Sequence, residues 1–164
     1  MDISEAETGS MDLNRQAVDL REFLYNLVDI YRYPAEEKSL QVSVESIEDI
    51  KVSVDPGRIS QVLGNILDNA IKYTNAGGQI RVNALRQMNE IAITIHDTGC
   101  GIAPEHLAHI WERLYRADRS RSKKGLGIGL CQVKAIVSAH GGRVEVVSTP
   151  EIGSAFTIFI PSVH

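Results

Sequence analysis

Several features that would mark common function classes are missing or scarce in this sequence. No apolar run approaches the roughly 18 residues that a membrane-spanning helix needs. The opening Met1-Asp-Ile-Ser-Glu-Ala has no basic-then-apolar pattern of a secretory leader. Cysteine is sparse: Cys100 and Cys131 sit in unrelated segments without metal-ligand spacing, which favours a reducing compartment. Positive charge is not in excess, since 17 Lys+Arg against 21 Asp+Glu give a net charge of -4, and a general nucleic-acid binder would carry a basic surface. No Gly-x-x-x-x-Gly-Lys-Ser/Thr loop occurs, no internal repeat, and no low-complexity tract beyond one basic loop. The expectation is a soluble, cytoplasmic domain with no nucleic-acid partner and no direct membrane contact.

What is present suits one ordinary globular domain. At 164 residues, 43% hydrophobic and 23% charged, the chain can bury about 70% of its unfolded surface without disulfides or metals. Residues 1–14 read as a linker or the tail of a preceding helix, and residues 15–164 as the domain. Asp19 and Glu22 form a capping-box pattern ahead of Leu20, Phe23, Leu24, Leu27, Val28 and Tyr31 at helical spacing. That helix is expected to end near Tyr33-Pro34 or slightly past it. Leu40–Val44 and Lys51–Val54 read as strands. Asp55-Pro56 opens a second helix with the apolar stripe Ile59, Val62, Leu63, Ile66, Leu67 and Ala70.

Ile80–Leu85 and Ile91–His96 form a hairpin by pattern. Pro104 starts a short helix to about Trp111, and residues 112–124, with six basic and two acidic side chains, read as a loop. A third long helix starts at the glycines near 127 and stops at Gly141-Gly142, followed by strands at Arg143–Ser148 and Ser154–Ile160. Hairpins exclude a purely parallel doubly wound sheet. The predicted class is α+β: a mixed sheet covered on one face by helices.

Three stretches carry candidate chemistry. Asn65, Asn69, Lys72 and Tyr73 share one helical stripe. Two amides and an ammonium aligned in this way can hold a hydrated magnesium ion and a polyphosphate, or simply form a solvated face. Asp97 ends an apolar strand and precedes Thr98-Gly99-Cys100-Gly101-Ile102. A carboxylate there can accept from the adenine amino group and so tell adenine from guanine. It can equally be an ordinary turn. Gly125, Gly127 and Gly129 place free N–H groups and a helix dipole at one point, a phosphate-binding arrangement or a plain hinge. The basic loop between the two glycine stretches, anchored by Trp111, Leu114 and Tyr115, is placed to close over a nucleotide.

Taken jointly, these stretches resemble the catalytic ATP-binding domain of bacterial sensor histidine kinases, in the GHKL (Bergerat-fold) superfamily shared with gyrase-type and chaperone ATPases. Residues 61–74 look like its N box, 97–102 its G1 box, 110–116 its F box, 125–130 its G2 box, and Gly153–Phe156 its G3 element. The resemblance implies a two-layer α/β sandwich of about five strands against three helices, with an ATP lid at about 102–125. It implies Mg2+ on Asn69, with Asn65 assisting. The nucleotide would lie against Asn65, Asn69, Lys72, Tyr73, Asp97, Gly99, Gly101, Ile102, Tyr115, Arg116, Gly125, Leu126, Gly127, Ile128, Gly129, Leu130 and Ser154.

The implied reaction passes the γ-phosphoryl of ATP to a histidine on a dimerisation domain, in cis or in trans, with a cognate response regulator downstream. None of His96, His106, His109, His140 and His164 has an acceptor context, so the phosphoacceptor is expected elsewhere, and the isolated domain is expected to be a monomer. Hydrolysing relatives carry a glutamate base where Asn65 stands, and an amide cannot take a proton. The alternatives are a superfamily ATPase, or an anti-sigma-type serine kinase or nucleotide-binding interaction module. The sequence departs from the family pattern at Trp111 and Leu114 in the F box and at Glu151, which takes the first place of the G3 glycine pair.

Overall fold

The computed structural model describes residues 11–112 and 129–162. Chain order is β1 (Gln16–Asp19), α1 (Leu20–Glu37), β2 (Gln41–Ile47), β3 (Lys51–Val54), α2 (Pro56–Tyr73), β4 (Gln79–Gln87), β5 (Glu90–Asp97), α3 (Pro104–Leu107), α4 (Gly129–Ala139), β6 (Arg143–Thr149) and β7 (Gly153–Pro161). Five strands form one sheet in the order β2-β4-β5-β7-β6. β2 runs parallel to β4, and every other neighbouring pair is antiparallel. The sheet is therefore mixed. Its one parallel step spans α2, because parallel neighbours need a crossover that a tight turn cannot supply.

Alternation along the strands sets the two faces. Ile80, Val82 and Ala84 of β4, Ile91, Ile93 and Ile95 of β5, and Phe156, Ile158 and Ile160 of β7 are buried. They pack against Leu24, Leu27 and Val28 of α1, the full predicted stripe of α2, and Val133, Ile136 and Val137 of α4. Each such side chain contributes about 1.5–3 kcal/mol on burial. The expected two-layer α+β class is the one found.

Three local expectations are revised. Gln16–Asp19, not expected to be a strand, pairs antiparallel with β3 in a separate two-stranded sheet. Residues 11–14, placed in the linker by sequence, include Met11 packed into the core and Asn14, whose N–H donates to Asp55 Oδ2 at 3.0 Å. α1 ends slightly past Tyr33-Pro34, as expected, at Glu37, with Pro34 inside it and Ala35 buried beyond it. The short helix stops at Leu107 and continues as turns to Trp111. The caps agree with the sequence. Asp19 accepts from Glu22 N and Asp55 from Arg58 N, leaving fewer orphan donors at each helix start. The opening residues of the expected linker, residues 113–125 of the expected lid and residues 126–128 after it lie outside the described residues.

Candidate functional site

The site is organised by α2. Its polar stripe is half-buried at Gln61, Asn65, Asn69, Lys72 and Tyr73, between the core and open solvent. At the C-terminal end the helix leaves carbonyls that need donors. Lys38 Nζ donates to Ile71 O at 2.7 Å and to Lys72 O at 2.8 Å, placing a cation where the helix dipole favours one. The next carbonyl, that of Tyr73, accepts from Cys100 N at 3.1 Å. This bond seats the turn after β5 directly against the end of α2.

Asp97 is the last residue of β5 and is only 7% exposed. Its Oδ1 accepts from Gly99 N at 2.9 Å. Burial pushes its carboxyl above the usual range, opposed by hydrogen bonds from the Gly99 and Ser154 N–H groups and by the neighbouring His96. Thr74, at the C-cap of α2, is fully buried, and its hydroxyl has no hydrogen-bond partner among the described residues. Thr74 Oγ1 and Asp97 Oδ1 both lie close to where a Cβ on Gly99 would stand, at 3.0 and 2.8 Å from that position. A hydroxyl and a carboxylate therefore converge on one buried spot, a set that suits a ligand edge carrying both a donor and an acceptor.

The turn itself is fixed by backbone. Gly101 has φ +71°, and a Cβ there would run into the carbonyl of Thr149; a Cβ on Gly153, φ +146°, would meet the carbonyl of Asp97. At both positions only glycine lets the two chains approach so closely. At Gly99 as at Gly101, the close neighbour is the protein's own backbone: the Tyr73 carbonyl in one case and Thr149 in the other. Glu151 N donates to Cys100 O at 2.6 Å, and Ile102 N to Ser148 Oγ at 2.7 Å. Ser154 is buried opposite Asp97, and its Oγ lies 2.8 Å from Ser148 Oγ. Glu151, where a glycine was expected, adopts φ +68° all the same.

At the other end of the stripe, α4 packs on α2. Gln132, in the first turns of α4, accepts at Oε1 from Gln61 Nε2 at 3.0 Å and from Asn65 Nδ2 at 3.4 Å. The start of α4 therefore faces the amide-bearing stretch of α2. Trp111 stands edge-on to Phe156 of β7, with ring centroids 6.0 Å apart at 85°, so this part of the expected lid is anchored to the sheet.

Asn65, Asn69, Lys72, Tyr73, Asp97, Gly99, Gly101, Ile102, Leu130 and Ser154 thus belong to one continuous region, where α2, the post-β5 turn, the β6–β7 turn and α4 meet. Gly129 starts α4. Tyr115, Arg116, Gly125, Leu126, Gly127 and Ile128 lie outside the described residues. Sequence reasoning did not single out Lys38, Gln61, Thr74, Gln132 and Ser148. Their contacts join segments distant in sequence, and no local pattern announces them. Among the described residues no group of three or more His, Cys, Asp or Glu could hold a metal. The candidate oxygen donors Asn65 and Asn69 are neutral amides, which suit magnesium only when phosphate oxygens complete its shell.

Comparison with known proteins bears on this region. Residues 54–164 match the family described as histidine kinase-, DNA gyrase B-, and HSP90-like ATPase. The sensor protein SrrB of Staphylococcus aureus is 32% identical over 163 residues, covering 98% of this chain and 28% of SrrB. The chain thus spans little more than a quarter of that relative's length. Among solved structures, the mycobacterial sensor histidine kinase MprB superposes with a TM-score of 0.80 at 28% identity, covering 90% of this chain and 98% of that one. Full-length ShkA in complex with AMPPNP superposes with a TM-score of 0.87 at 27% identity, covering 98% of this chain and 34% of that one.

Proposed function

Because this chain belongs to the histidine kinase-, DNA gyrase B- and HSP90-like ATPase family, as an ATP-binding catalytic domain of the kind its sensor-kinase relatives carry, we propose that it binds Mg·ATP along α2 and passes the γ-phosphoryl to a histidine. The acceptor imidazole would sit on a dimerisation domain, supplied in cis or in trans, and a response regulator would take the phosphoryl onward. The working location would be the cytoplasm; no helix among the described residues is long and apolar enough to cross a membrane.

One observation carries this reading. The Cys100–Tyr73 hydrogen bond joins the buried Asp97 turn to the same helix that presents Asn65, Asn69 and Lys72. Asp97 would accept from the exocyclic amino group of adenine, with the Thr74 hydroxyl beside it. Gly99, Gly101 and Ser154 hold that pocket in shape, and Ile102 would flank the base. Asn69, helped by Asn65, would offer amide oxygens to a magnesium ion shared with the phosphates. Bound there, the metal would neutralise charge between the phosphoryl groups. Lys72 and Tyr73 would contact phosphate and base, Gly125–Leu130 would cradle the phosphates, and Tyr115 and Arg116 would close over them.

In the transfer, an imidazole nitrogen attacks phosphorus as the bond to the ADP oxygen breaks, with most of the rate coming from positioning and charge neutralisation. Water is a poor competitor, because Asn65 cannot act as a base. That disfavours a hydrolysing ATPase.

The test is to mix the chain with Mg·ATP and a separately made dimerisation domain. Acid-labile, base-stable phosphate on that partner supports the reading. Phosphate stable to acid would point to a serine kinase, and free phosphate alone to an ATPase.

A further inference from the structure

Gln132 ties α4 to α2 through a single side-chain oxygen. Its side-chain oxygen has two lone pairs, and both are used by donors on successive turns of α2: Gln61 Nε2 at 3.0 Å and Asn65 Nδ2 at 3.4 Å. The second bond is at the long end of the range, but Gln61 holds the acceptor from the other side, so Gln132 cannot swing away without losing both. A primary amide is planar, with donor and acceptor ends on opposite sides. With Nδ2 of Asn65 turned to α4, its Oδ1 is turned away from Gln132. An unbraced amide would present either end to a cation, and the N–H end repels one.

We propose that Gln132, braced by Gln61, is a positioning residue that presents the oxygen of Asn65 to the magnesium of bound ATP. This rests on the Mg·ATP reading above. Outer partners that orient a ligand in this way tune metal affinity without touching the metal. Gln132 also stands at the start of α4, immediately after the glycine stretch, so one side chain registers the phosphate-facing helix end against the metal-facing helix.

The test is titration calorimetry of a non-hydrolysable ATP analogue, with magnesium and with EDTA, read as the ratio of the two affinities. Gln132→Leu is expected to lower that magnesium enhancement by about three- to tenfold, the loss of a typical hydrogen bond, while leaving the EDTA affinity within about twofold. Gln132→Glu, which can only accept, keeps the enhancement at or above the wild-type value. Gln132→Leu adds nothing in an Asn65→Ala background. Gln61→Leu gives a smaller fall in the same direction and serves if Gln132→Leu folds poorly. An enhancement unchanged in Gln132→Leu, lost in Gln132→Glu, or reduced equally with and without Asn65 overturns the proposal. Absence of nucleotide binding in the unaltered chain would instead remove the function proposed above.

Discussion

At the Asp97 end of α2 the contacts run largely between backbones: Cys100 N to Tyr73 O, Glu151 N to Cys100 O, and two glycines with no room for a Cβ. At the Gln132 end they run between half-buried amide side chains, Gln61, Asn65 and Gln132. A backbone-built pocket has one geometry and resists repacking. A side-chain bridge can be lengthened or broken at small cost in stability. On the proposed reading, the difference would separate recognition of the base, at the backbone-built end, from placement of phosphates and metal, at the end held by side chains.

The contrast can be broken most severely at the rigid end. Gly101→Ala puts a methyl against the Thr149 carbonyl at a positive φ, and should cost about 3 kcal/mol or more. Urea denaturation of the nucleotide-free chain reads this directly, and a wild-type midpoint would refute the packing described. Asn69→Ala tests the adjustable end. It should abolish magnesium-dependent nucleotide binding while the thermal midpoint stays put; unchanged affinity in calorimetry would remove the metal assignment.

Asp97→Asn should weaken adenine over guanine preference by about 1–3 kcal/mol, measured by competition. Since burial raises the Asp97 carboxyl, the folded chain holds this proton more tightly than the unfolded one, so the ionised group costs stability at neutral pH. The same variant should therefore melt slightly higher without nucleotide, and a drop in both properties would argue for a purely structural carboxylate.

His140 sharpens the comparison at the far end of α4. It is buried, its Nε2 accepts from Asp55 N at 3.1 Å, and its Nδ1 lies 2.8 Å from Ile136 O. That pattern defines a neutral ring, and burial lowers its pKa below the ordinary 6.5. The stability it confers is complete above about pH 6.5 and is lost as pH falls through the folded value. Denaturant midpoints at about pH 7.5 and pH 5.5 should differ more for the wild type than for His140→Gln; equal differences would mean another group titrates. The smallest effect is expected from Glu151→Gly. Relief of a left-handed non-glycine residue, about 1–2 kcal/mol, less the added unfolded-state entropy, about 0.4–1 kcal/mol, leaves a gain of roughly 0.5 kcal/mol. A loss would show that the Glu151 side chain makes compensating contacts.

Much of this was legible in the sequence where one local period decides the outcome. The stripe from Ile59 to Ala70 could only be one face of a helix, and the alternation around Met88 could only be a hairpin. The shared helical face of Asn65, Asn69, Lys72 and Tyr73 was legible from spacing, and the strand-end place of Asp97 from the alternation before it; their nucleotide roles rested on the family resemblance. Gln16–Asp19 was illegible because Gln-Ala-Val-Asp has no period; it is a strand only because β3 lies beside it. Lys38, Thr74 and Gln132 were hidden for a related reason. Lys38 finds its carbonyls 33 and 34 residues away, and Gln132 its amides 71 and 67 residues away. Glu151 read as a departure from the glycine pattern, yet the turn is kept at the expense of local strain.

One strand placement has a consequence for how the molecule is made. β7 follows β6 in the chain but lies between β5 and β6 in the sheet, and it brings Gly153 and Ser154 up to Asp97. A chain made only as far as β6 has β5 without one of its two neighbours and Asp97 without its facing wall. The proposed base pocket is therefore closed by a segment distant in sequence from the carboxylate it encloses, and a chain cut before β7 would have no wall on that side.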